Sequence, residues 1–199
     1  MRTLRVLTLL CTVTAARADS VSVEPVAASG GQLAVTRLVL HGEETTALQL
    51  DLFAPDGIDP AATSQRDPAC TVNPGIDRWA SRFTFLPHGC APRVDCRGVR
   101  MMILTFDEAI FTSIPNGSWI AACAWRVAAD AEAASYPLTC GLARGSTAPP
   151  DIIGTTLACD PGAIIVAAPG CLGDRNADGQ VSVFEVLGVV RNVLDGCPQ

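Results

Sequence analysis

Apolar residues recur along the first four fifths of the chain in short, often alternating runs: Val21 to Val26, Leu33 to Leu40, Leu48 to Phe53, Arg82 to Leu86, Val99 to Phe106, Trp119 to Val127, Tyr136 to Leu142, Thr155 to Ala158 and Ile164 to Ala167. Turn-forming groups separate them, among them Gly30-Gly31, Pro55-Asp56-Gly57, Pro74-Gly75, Pro115-Asn116-Gly117 and Asp160-Pro161-Gly162. Period-two runs of this length, with no helical stretch between them, predict a mainly β domain over residues 19–168, an antiparallel sandwich or barrel of about nine strands.

Two segments break the pattern. Asp56 to Arg78 holds Pro, Asp, Ser and Thr without apolar periodicity and reads as an irregular excursion tied down through Cys70. Past Ala168-Pro169-Gly170-Cys171, an acidic loop leads into Val183, Val186, Leu187, Val190, Val193 and Leu194, which is helical spacing. Asp195-Gly196-Cys197-Pro198 stops that helix. Residues 171–199 therefore form a second, small unit.

Export changes the reading of composition. Arg2 and Arg5, the apolar run Val6 to Val13 and the small-x-small sequence Ala16-Arg17-Ala18 predict a signal peptide over residues 1–18, cleaved after Ala18. The run is too short to span a bilayer, which takes about 20 apolar residues. Cleavage removes Cys11 and leaves eight cysteines, an even set that predicts disulfides in an exported chain. It also leaves 11 Arg, no Lys and 20 acids. A balance this acidic, without a basic run, argues against nucleic acid as a partner and against anionic membranes.

The acidic loop carries the clearest chemistry. In Gly173-Asp174-Arg175-Asn176-Ala177-Asp178-Gly179-Gln180-Val181-Ser182-Val183-Phe184-Glu185, oxygen donors fall at the offsets of a twelve-residue calcium loop. Asp174, Asn176 and Asp178 take positions one, three and five, and Gly179 the sharp turn at six. Gln180 offers its carbonyl at seven, Ser182 stands at nine and Glu185 closes the shell at twelve. These six residues are the candidate Ca2+ ligands.

Catalytic patterns are missing from the sequence. His41 and His88 lack metallohydrolase spacing, and no nucleophile elbow, phosphate loop or dinucleotide fingerprint occurs. The chain reads as a non-enzyme. Trp119 and Trp125 have the spacing of one strand face and, with Trp79, could form a platform for polysaccharide. Core packing accounts for the same residues and is the preferred reading.

The tail GDRNADGQVSVFEVLGVVRNVL resembles one repeat of a type I dockerin, a family that carries two. The preceding region resembles a cohesin domain in its order of elements: VSVEPVAASGGQLAVTRLVL, LQLDLFAPDGI, IPNGSWIAACAWRVAADAEAASYPLTC and DPGAIIV. The resemblance implies a jelly roll related to carbohydrate-binding modules. It also implies a secreted or cell-surface adaptor in protein assembly and polysaccharide breakdown, with a cohesin- or dockerin-type protein partner or a second copy of itself. Polysaccharide binding, with the hand as a cap, is the alternative. A Cys171–Cys197 bridge around the single hand would stand in for the second repeat, contributing roughly 3 to 4 kcal/mol. For Cys140 and Cys159, strand order suggests a cross-linked hairpin.

Overall fold

A computed structural model defines the architecture and describes residues 19–76, 80–104, 112–147, 154–167 and 182–183. The described strands are β1 (Ser20–Val23), β2 (Val26–Ala28), β3 (Leu33–His41), β4 (Ala47–Phe53), β5 (Ile58–Pro60), β6 (Cys70–Val72), β7 (Arg82–Leu86), β8 (Gly98–Ile103), β9 (Trp119–Val127), β10 (Ser135–Ser146), β11 (Gly154–Thr156), β12 (Ala158–Asp160) and β13 (Gly162–Val166). One sheet runs β12-β1-β3-β9-β5, with β6 beside β5 along β9. The other runs β2-β13-β10-β4-β8-β7, with β11 on β10. The mainly β jelly-roll sandwich expected from the sequence is what forms.

Alternation decides which side chains meet between the sheets. On β3, Ala34, Thr36, Leu38 and Leu40 are buried while Leu33, Val35 and Arg37 face outward. Leu50, Leu52, Met101, Ile103, Leu138 and Ile164 answer them from the second sheet. Trp125 lies fully buried among them, and its indole N–H donates to Thr36 Oγ1 at 2.9 Å. Burying the ring is favourable only because that polar tip finds an acceptor.

The short strands have a common cause. β1 and β2 are one strand that changes sheets at Glu24-Pro25, and β12 and β13 another that changes at Pro161. Proline has no N–H for a ladder, so hydrogen bonding in one sheet ends there and can restart in the other. The two bent strands run side by side, β1 parallel to β12 and β2 parallel to β13. These two pairs are parallel; the other strand pairs among the described residues are antiparallel, as expected. Gly162 sits where they pass closest, and a Cβ there would run into the Val23 carbonyl. Asp19 secures the start of β1, its Oδ2 accepting from the Thr45 N–H at 2.9 Å and the Thr45 hydroxyl at 2.6 Å.

The excursion is more ordered than its composition predicts. Ile58–Pro60 and Cys70–Val72 pair with β9 one after the other, extending the first sheet. Cys70 is bonded to Cys123, its direct cross-strand neighbour. Cys90 and Cys96 close a short loop. Cys140 and Cys159 are joined, but the hairpin expectation is corrected: β11 takes the hairpin place on β10, then the chain crosses through buried Leu157 to β12 in the opposite sheet. That disulfide links the two sheets. The candidate calcium ligands Asp174, Asn176, Asp178, Gln180 and Glu185, with Cys171 and Cys197, lie outside the described residues.

Substituting Gly162 by Ala should cost about 2 kcal/mol, because the crowding atom is backbone and cannot rotate away. Gly154→Ala, at an open position, should change stability by less than about 0.5 kcal/mol. Denaturant unfolding of both variants checks the contrast.

Candidate interaction face

The outer face of the seven-stranded sheet carries an ordered grid of side chains. Cross-strand register sets three rows. Leu86, Gly98, Phe53 and Thr139 form the first, Thr84, Arg100 and Asp51 the second, and Arg82, Met102, Gln49 and Arg144 the third.

The centre of the grid is an ion pair. Arg100 Nε and Nη2 donate to the two oxygens of Asp51, each at 2.7 Å. This bidentate fit fixes both planes. Asp51 is only 6% exposed although it points outward, while the Arg100 side chain is 40% exposed. Through those two bonds and its charge, the carboxylate raises the Arg100 pKa above its ordinary value.

Phe53 is held beside the pair by two glycines. A Cβ at Gly98 would stand 2.7 Å from its ring, and one at Gly141 2.8 Å from the opposite edge. The β10 ladder shifts register between Cys140 and Ala143, and Gly141 lies in that irregularity. The bulge and the glycines together let an aromatic ring lie across neighbouring backbone. Arg82 and Arg144 flank the grid, exposed and without an ion pair among the described residues. An acidic chain thus presents a locally basic face with rigid charged and aromatic anchors, features that protein interfaces favour.

None of the sequence candidates lies in this grid. Ser182 is described and exposed. His41 shares a 2.8 Å hydrogen bond with Ser22 Oγ on the exposed surface of the other sheet. His88 lines a cleft of about 580 Å³ with Asp67, Arg82 and Phe83. Another cleft, of about 940 Å³, is bordered by Asp19, His41, Glu43, Glu44 and Asp160.

The shared strand face expected for Trp119 and Trp125 is corrected, and the preferred core reading holds for Trp125. A bulge between Leu38↔Ala121 and Val39↔Trp119 adds one residue to β9, so Ile120 and Ala121 are both buried. That single insertion turns Trp119 outward, with Arg37 5.7 Å from its ring centroid, while Trp125 stays inside. Trp79 lies outside the described residues. Nothing in the sequence pointed to the Asp51–Arg100 pair: 49 residues separate its members, and an outward Asp or Arg in an alternating strand is ordinary.

No protein-family model matches the chain, and no curated protein matches it. Solved structures do. A type I cohesin from Clostridium thermocellum, OlpA, crystallised in a cohesin–dockerin complex, aligns with 10% identity and a TM-score of 0.59 over 75% of this chain and 99% of that one. A second type I cohesin from that organism, OlpC, also in a cohesin–dockerin complex, aligns with 12% identity and a TM-score of 0.58 over 78% and 97%. A non-cellulosomal cohesin from the archaeon Archaeoglobus fulgidus gives 12% identity and 0.54 over 76% and 93%. The chain has the cohesin fold.

Asp51→Ala should lower stability by about 1 kcal/mol, modest because solvent reaches Arg100. The loss should shrink in high salt. Urea unfolding at two ionic strengths checks this.

Proposed function

We propose that this chain is an exported, calcium-binding, non-catalytic adaptor that joins proteins outside the cell or at its surface. The cohesin fold carries this reading, because the two Clostridium thermocellum proteins that share it were crystallised with dockerins. Here the binding face is the Asp51, Phe53, Arg100 grid. Its locally basic character suits a partner rich in carboxylates, with Phe53 and Met102 supplying apolar contact. The predicted signal peptide and three disulfides support an oxidising, extracytoplasmic location.

The tail adds the calcium function. Its donor set is all oxygen, as a hard cation requires: three carboxylates, an Asn amide oxygen, a main-chain carbonyl and a hydroxyl. With the ion bound, Asp174, Asp178 and Glu185 cease to repel one another, and the start of the following helix is fixed. The partner is of cohesin or dockerin type, or a second copy. Polysaccharide recognition has less support, because Trp125 is buried and Arg37 stands over Trp119.

Calorimetric titration of the mature, oxidised protein with CaCl2 should give binding heat that Asp174→Ala abolishes. Against a panel of calcium-loaded type I dockerins, or against itself by sedimentation, wild type should bind and Arg100→Glu should bind at least about tenfold more weakly. Equal binding by wild type and Arg100→Glu would move the site off this face, and no binding at all would remove the adaptor reading.

A further inference from the structure

The outer face of the six-stranded sheet differs in character from the grid. Leu33 and Val35 stand outward on β3, each 53% exposed. Register sets Val35 opposite Ala124, Arg37 opposite Ala122 and Val39 opposite Trp119. These residues make an apolar strip between Arg126, opposite Leu33, and Arg37 over Trp119. Arg126 Nε is buried with no hydrogen-bond partner.

The chain leaves the sandwich next to one end of this strip. The Ala167 N–H donates to the Ala28 carbonyl at 3.0 Å. Ala28 ends β2, and the next turn, closed by the Gln32 N–H on the Ser29 carbonyl at 3.1 Å, leads directly into Leu33. The six residues 168–173 that precede the calcium loop reach at most about 20 Å. Later in the sequence stands the segment Val183 to Leu194, whose apolar residues cover more than half of a helix circumference, too many for a helix wet on its far side.

We propose that Val186, Leu187, Val190, Val193 and Leu194 of the tail pack onto the Leu33, Val35 and Trp119 strip of the same chain when calcium orders the hand. This rests on the tail being a calcium hand. The dimensions agree: a 12-residue helix is about 18 Å long, and the strand from Leu33 to Val39 spans about 20 Å. Val183 is 73% exposed, which suits a residue still inside the loop and outside the packed stripe. A single hand then needs no second repeat, because the sheet covers its helix, and the grid on the opposite sheet stays open to a partner.

Amide hydrogen exchange on the mature, oxidised full chain with saturating calcium tests this. Residues 186–194 should be protected in wild type, and Val35→Asp should speed their exchange at least about tenfold while β4 and β10 stay protected. Val94→Asp, at an exposed apolar residue outside the strip, should leave the tail unchanged. Tail protection indifferent to Val35→Asp, or an unprotected tail in calcium-loaded wild type, would overturn the docking. So would protection that falls on dilution together with a dimer seen by sedimentation, which would make the occupant a second copy. Calorimetry on the same samples separates the two readings: calcium heat without Val35-dependent protection rejects the docking alone, and no calcium heat rejects the hand.

Discussion

The parallel passage of the two bent strands at the corner governs the rest of this structure. One strand comes from the start of the domain and the other from its end, and each must leave one sheet and enter the other at a proline, Pro25 or Pro161. They can lie side by side only because residue 162 has no side chain to strike the Val23 carbonyl. Burying the apolar inner faces supplies the driving force for folding. The corner decides that two sheets, rather than one wide sheet, share that buried area. The Cys140–Cys159 bond, from β10 in one sheet to β12 in the other, holds the same corner covalently.

Closing a sandwich this way leaves each sheet one outward face, and the two faces differ in character. The seven-stranded sheet displays a charged and aromatic grid whose members are held by bidentate hydrogen bonds and by glycine-made space, so little conformational freedom remains to be lost on binding. The six-stranded sheet displays an apolar strip, Leu33 and Val35 with Ala122 and Ala124, between Arg37 and Arg126. Solvent-exposed sheet faces rarely stay apolar without a reason. On the proposed reading, partner binding and calcium-dependent order would fall on different surfaces.

Single-residue irregularities do much of this sorting. In β9 the extra residue at Ile120 separates Trp119 from Trp125, which strict alternation places together. In β10 the shift at Gly141 opens the space that Phe53 occupies. Neither bulge has a signature in an alternating run, because a bulge is set by which strand lies alongside and in what register.

The sequence by itself determined the mainly β class and most strand positions, because these rest on local periodicity along one chain. β7 and β9 match their predicted bounds. Only the tertiary structure decided that Arg100 meets Asp51, that Cys159 lies across from Cys140 in the other sheet, that Asp56 to Arg78 supplies two strands, and that the chain leaves the sandwich beside Leu33. Each of these joins residues far apart in the chain. Such pairing is fixed by register and by the closing of the corner, and both are properties of the packed sheets as a whole.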